Sequence, residues 1–465
     1  MKPTSDRKDL DGGWGWVVVF GSSITLMLVV GIDFALGPFF VELQRYYQAT
    51  SAEISWIMSL GSALKLCVGP IAGALSRRFG ARIVVMAVGA LSTIGYLSCS
   101  FATGIVYLYI SYGVFTASIL GVAFAPTVSL IGEYFEKKYA LANGMAFLCT
   151  GIGGFVLTLI FQAAIDHYGW RGAYIILAGI NSQICVCSAL FRPPTHRQRR
   201  EEKEVENGGN TKVGRKLLDI SLFREFPTYT VVLASEWPLA VALYATVVHL
   251  APRAVFLGMT ANQAALIVSV FGITGTFGRL HGFLIDKNYV SAINLYRSSI
   301  IVAGITSACS PFLTDFPGSM VHGAILGFCV GVYLPLFSVL FREIVGQENL
   351  VTAFGYGTAV MAAGVLIAPP MAGWIFDATG DYHNPYYAGG CFFFVSALIT
   401  VAKNIIELKQ SKRQEETKRS EHACESHDDN TNPVENNSNV VSTSLTVENT
   451  QKVPGLNDSN IESIA

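Results

Sequence analysis

Four charged side chains stand where water is scarce. Lys65 lies in Gly61-Ser-Ala-Leu-Lys65-Leu-Cys-Val-Gly69-Pro70, midway along an apolar run. It is about 12 residues from either end, or ~18 Å along a helix, too far for its ammonium to stretch out to water. Arg279 sits among Gly275, Gly278 and Gly282 in a second run. Asp33 and Glu236, the latter in Ser235-Glu236-Trp237-Pro238, occupy two more. Ionised groups are costly in an apolar solvent and either line a polar path or meet an opposite charge. An ammonium captures an anion, and a guanidinium clasps a carboxylate bidentately. A carboxyl carries a proton or neutralises a cation. Asp33 and Glu236 are therefore candidates for proton coupling or for pairing with Lys65, against a structural salt bridge or an interfacial position. Lys65 and Arg279 are candidate substrate-binding groups. The plain alternatives are a lysine satisfied by a neighbouring carboxylate and an arginine that reaches the nearer end of its run. His249 and His281 titrate near neutrality, but both stand near the ends of their runs, where a bland role suffices.

The elements that must hold these groups follow from composition. Of 465 residues, 51% are apolar and 14% charged, against about 25% charged in a soluble domain. Twelve apolar runs approach or exceed the roughly 20 helical residues that cross a bilayer. They lie near 14–41, 53–76, 82–101, 105–133, 138–164, 171–191, 228–251, 261–285, 295–313, 318–341, 351–376 and 385–406, and are numbered here as spans 1 to 12. Only helices or closed barrels satisfy their backbone in lipid, and these runs are too long for barrel strands. Numbering alternate sides from a cytoplasmic N-terminus puts 27 of the 32 Lys and Arg residues on that side and only Arg45, Arg171 and Arg253 on the other. The asymmetry predicts both termini in the cytoplasm.

The expected organisation is a cytoplasmic N-terminus (1–13), a six-helix half (14–191), a cytoplasmic central loop (192–227), a second six-helix half (228–406) and a polar cytoplasmic tail (407–465) whose composition predicts disorder. Eight of nine cysteines fall in apolar stretches and read as packing residues, and Cys424 lies in the tail. No nucleophile–base set, phosphate loop or metal cluster is visible, so neither an enzyme nor a cofactor, metal or nucleic-acid partner is expected. Pro369-Pro370 is expected to kink or break span 11.

Two loops occupy equivalent places in the halves. After span 2 the chain reads Gly73-Ala-Leu-Ser-Arg77-Arg78-Phe-Gly80-Ala-Arg82, and after span 8 Gly282-Phe-Leu-Ile-Asp286-Lys287. Both resemble the Gly-x-Leu-x-Asp-Arg-x-Gly-Arg gate loop of the major facilitator superfamily, with Ser76 in place of the usual Asp in the first copy. Further segments resemble the monocarboxylate transporter family: Asp11-Gly12-Gly13-Trp14-Gly15-Trp16 opening span 1, Tyr134-Phe135-Glu136-Lys137-Lys138 leading through Asn143-Gly144 into span 5, Gly169-Trp170-Arg171-Gly172-Ala173, and Ala368-Pro369-Pro370 to Trp374. The likeness runs in order across the whole membrane region. Read from the residues alone, Trp14 and Trp16 are interfacial anchors and Lys137 and Lys138 determinants of topology.

The resemblance implies an all-α major facilitator fold of 12 transmembrane helices in two halves and a multi-pass location in the plasma membrane. It also implies transport of a small organic solute by alternating access and a single-span immunoglobulin-like ancillary protein. Arg279 matches the span-8 arginine that takes the substrate carboxylate in that family. Two departures weaken the match to lactate carriers: Gly275 stands where they have an Asp, and Gly37 where they have a Lys. Lys65 then supplies the missing positive charge from span 2. The readings left open are a monocarboxylate carrier with a proton, a pH-independent facilitator of a zwitterionic or neutral metabolite (amino-acid-, creatine- or carnitine-like), and a non-transporting membrane sensor.

Overall fold

A computed structural model of the chain describes residues 11–49, 51–192, 222–287 and 289–402; most of the central loop and the 407–465 tail lie outside the described residues. Among the described residues all regular structure is helical. Nine helices are long and apolar enough to cross a membrane, or ten with the bent pair Trp56–Cys67 and Gly69–Phe79 counted as one span. The stretch Tyr139–Ala189 is 51 residues long, about 75 Å if straight, more than twice the ~30 Å of a hydrocarbon core. It carries both span 5 and span 6. The reversal between them is tighter than the sequence indicates: Gly169 adopts φ 68°, and helix resumes at once on either side. Span 9 is the helix Ala292–Cys309, and the order of the twelve runs is that of the helices.

Several spans are interrupted, spans 1, 2 and 7 among them. Span 1 runs as Trp14–Leu26, widens to a π-helical turn at Met27–Gly31, continues as Ile32–Ala35 and restarts at Gly37-Pro38. Such widened turns recur at functional positions because they re-aim the side chains and carbonyls that follow. Span 2 bends by 44° between Cys67 and Gly69, where Pro70 has no N–H to donate to the preceding turn. Span 7 ends at Val248 and a short helix, Leu250–Phe256, follows. In span 11 the prolines make no break: the helix Leu350–Thr379 is continuous through Pro369 and Pro370. A ring nitrogen of His249 lies 3.4 Å from the Pro369 carbonyl.

A set of hydrogen bonds joins the two halves at one end of the bundle. Asn143 of span 5 donates to the Pro335 carbonyl and the Ser338 hydroxyl of span 10, both at 2.9 Å. Arg342 donates to the Gly132 carbonyl at 3.0 Å and Gln347 to the Ser129 carbonyl at 2.9 Å. Arg77 donates to the hydroxyl of Thr352. Span 2 crosses span 11 at Gly69 and Gly355, where a Cβ on either glycine would strike the other's carbonyl oxygen. This is the end that carries both gate loops, and it is latched shut.

Candidate functional site

Beyond the latch, between the halves, lies a small, partly open cavity. Spans 1, 2 and 4 supply one wall, with Asp33, Lys65 and Phe124; spans 7, 10 and 11 supply the other, with Tyr244, Tyr333, Phe337 and Phe354. Ser62 and Thr358 add hydroxyls, and the rest of the lining is apolar. Among the described residues its charged lining groups are Lys65 and Asp33, and they are paired at 2.6 Å. Lys65 also donates to the carbonyl of Val29 at 2.9 Å. Val29 belongs to the π-helical turn, and Asp33 follows it by one turn. The widened turn therefore sets both partners of the ammonium. The pair is unequally covered: the Lys65 side chain is 5% exposed and that of Asp33 26%. Asp33 is the more open of the two to the cavity.

The remaining intramembrane charges lie elsewhere. Glu236 is fully buried in span 7. It accepts a hydrogen bond from the Tyr296 hydroxyl, and its second oxygen has no partner among the described residues. It does not line the cavity, although the Tyr333 ring, 6.4 Å from that of Tyr296, does. Arg279 is also buried, 5% exposed, and does not line the cavity. It does not reach out to an interface. Its guanidinium is enclosed between span 8 and span 5, beside Gly151 and Thr276, and its carbonyl faces Gly144. The two cations expected to meet substrate thus stand apart. His281 is buried with Nδ1 2.8 Å from the Gly278 carbonyl.

The gate loops act unequally. Asp286 caps span 5 across the halves, accepting from the N–H of Ala140 at 3.2 Å and of Leu141 at 2.9 Å. A carboxylate at a helix N-terminus meets unsatisfied donors and the positive end of the dipole. Gly282 lets this loop lie directly on the Ala140 backbone, and Lys287 packs over the Phe283 ring at 4.3 Å. In the first copy Ser76 has no carboxylate to offer. Gly73 lies against the Val351 carbonyl, Arg78 covers Phe79, Gly80 makes the turn with φ 80°, and Arg82 lies in the first turn of span 3.

The two signature segments form one clasp. The Asp11 carboxylate accepts from the N–H groups of Glu136, Lys137 and Lys138 at 2.9–3.2 Å. Gly12 and Gly13 lead directly into the helix, the latter at φ 55°. Trp14 donates to the Leu190 carbonyl, and Trp16 meets Phe135 edge-on at 4.9 Å. Tyr134 donates through its hydroxyl to the Arg192 carbonyl. Lys137 and Lys138 enter through their backbone, so the clasp does not depend on their charge. The cavity aromatics and Asn143 escaped the sequence reading, because an aromatic or a single Asn within a span carries no periodic signal of which face it occupies.

Two helical halves around a central cavity, latched at one end, define a membrane carrier. The profile of the Major Facilitator Superfamily matches residues 19–321 and 257–447. Monocarboxylate transporter 12 of Xenopus laevis is 30% identical over 420 residues, covering 86% of this chain and 91% of that protein. Monocarboxylate transporter 13 of Bos taurus is 31% identical, covering 84% and 89%. Monocarboxylate transporter 4 of Rattus norvegicus is 30% identical, covering 89% and 88%. Among solved structures, FucP in the outward conformation superposes with a TM-score of 0.65 at 16% identity, covering 83% of this chain and 98% of that one. The proton:xylose symporter XylE superposes at 0.66 and 15%, covering 84% and 95%. At such identity these two speak for the fold alone. The chain belongs to the monocarboxylate transporter family of the Major Facilitator Superfamily. It is a multi-pass membrane transporter and not an enzyme.

Proposed function

We propose that this transporter moves a small monocarboxylate-type solute across the plasma membrane together with a proton, and that Lys65 and Asp33 carry the exchange. The latched end, with both termini, is assigned to the cytoplasm on the strength of its basic loops. The observation that carries the reading is the neutral pair at 2.6 Å in the cavity wall. While Asp33 is ionised it occupies Lys65, and a carboxylate entering then brings an uncompensated negative charge into a low-dielectric space. A proton placed on Asp33 releases the ammonium, and the solute carboxylate takes the vacated position. Proton and anion enter together and the site stays neutral. Asp33, not Glu236, takes this proton, because Asp33 faces the cavity. Arg279 takes the carboxylate later, once the latch has opened.

The same neutral pair supports a second reading. A zwitterion places its cation on Asp33 and its carboxylate on Lys65 without any proton. The two readings differ in whether uptake depends on pH. Monocarboxylate uptake rises as the external solution is acidified; zwitterion uptake is flat. Uptake of a labelled panel at acidic and neutral external pH, with Asp33→Asn alongside, tests this. The proton-coupled reading expects pH dependence in the wild type and its loss in D33N; pH dependence that survives in D33N overturns the role of Asp33.

A further inference from the structure

Among the described residues Arg279 is a cation without a counter-ion. Its Nε and Nη1 have no hydrogen-bond partner among the described residues, and the side chain is 5% exposed. The facing elements offer no carboxylate. Span 5 has no Asp or Glu from Tyr139 to Gln162, and span 8 none before Asp286, whose two oxygens cap the N–H groups of Ala140 and Leu141. The span-10 residues that touch span 8 here, Gly327, Phe328 and Gly331, are apolar. The titratable groups nearest in the chain are His281, on the same helix, and Cys149 and Tyr139 on span 5. Room for the guanidinium comes from Gly151, where a Cβ would collide with Nη1.

Spans 5 and 8 belong to opposite halves. Closing the latched end seals this guanidinium into their seam; opening it lets water in. A buried, unpaired charge destabilises whichever conformation buries it. We propose that, besides meeting the solute once the latch opens, Arg279 works as a spring: its unneutralised charge drives the span 5–span 8 seam apart and sets how readily the latched end opens. It opposes the Asp286 cap and the Asn143, Arg342 and Gln347 hydrogen bonds, which hold the seam shut. Neither force alone gives a carrier, which must leave each end-state easily.

Gly275 gives the sharpest handle. A Cβ at that position lies 4.0 Å from Arg279 Nη1 and 3.1 Å from the Gly327 carbonyl. A carboxylate placed there pairs with the guanidinium at the cost of a shift of a few tenths of an ångström against span 10. The inference rests on alternating access, not on which solute is carried.

The test is hydrogen–deuterium exchange of residues 139–151 and 272–282 in lipid nanodiscs without solute. Arg279→Met and Gly275→Asp should each slow exchange across the seam roughly tenfold or more, one by removing the charge and the other by pairing it. Arg279→Lys, which keeps the charge, should exchange like the wild type. A guanidinium that merely packs predicts faster exchange in R279M and G275D, and that result, or no change in either, overturns the proposal. Failure of the solute reading shows separately, as transport indifferent to Lys65 and Asp33 with the seam exchange unaltered.

Discussion

The Lys65–Asp33 pair makes an asymmetric prediction that can be worked from its burial. At 2.6 Å the attraction is several kcal/mol even at an effective dielectric of about 20, but desolvation takes back much of that. Removing one partner of a buried pair costs about 3–5 kcal/mol. The cost depends on which charge is stranded. Asp33→Asn strands an ammonium that is 5% exposed, with only an amide and the Val29 carbonyl to face. Lys65→Met strands a carboxylate that is 26% exposed and in reach of cavity water. The expected losses are about 2–3 kcal/mol for D33N and about 1 kcal/mol for K65M, discounted for that exposure. The double variant strands nothing and should lose about 1 kcal/mol or less. The coupling energy is then about 2 kcal/mol. Thermal unfolding in detergent, followed by tryptophan fluorescence, reads this as a drop of several degrees for D33N that Lys65→Met largely restores. Additive losses in the double variant would refute the argument that the two charges compensate each other.

Other perturbations probe the latch. Gly69→Leu puts a side chain into the Gly355 backbone where spans 2 and 11 cross; uptake should vanish while the protein still reaches the membrane, and uptake at wild-type rates would show that this crossing need not close. Asp286→Asn weakens the charge-assisted cap on Ala140 and Leu141 by about 1 kcal/mol; exchange across the span 5–span 8 seam should quicken, opposite to Arg279→Met. Asp11→Ala removes the acceptor for three backbone N–H groups. The expected loss is about 1–2 kcal/mol of stability with the half-saturation for solute unchanged, read by unfolding and uptake on the same preparation.

Much of this was legible in the sequence because lipid is an unforgiving solvent. A charge deficit and twelve long apolar runs leave only a helical bundle, and the four charged residues away from the ends of those runs are few enough to weigh singly. That Lys65 either meets solute or is held by a neighbouring carboxylate was readable; that Asp33 is its partner was not. Asp33 wins over Glu236 because the π-helical turn of span 1 rotates Val29 and Asp33 onto span 2, and no local propensity announces that turn. Arg279 was harder. Its nearness to a span end suggested reach to the interface, whereas Gly144 and Gly151, distant in sequence and on the other half, form the slot that encloses it. Pro369-Pro370 read as a kink or break, and the helix is nevertheless continuous through both. The gate loops were recognisable as a pair, but only the structure shows Asp286 of the second copy on span 5 and Arg77 of the first on Thr352.

The central claim is that solute crosses by binding at Lys65 between halves that open alternately. Counterflow in proteoliposomes tests it most directly. Unlabelled monocarboxylate or zwitterion is loaded inside, and entry of the labelled compound is followed with wild-type protein and with Lys65→Met. The account predicts that internal solute accelerates entry of label into a transient overshoot, and that the overshoot is lost in K65M at equal protein incorporation. An overshoot undiminished in K65M, or entry that internal solute does not accelerate, would contradict it.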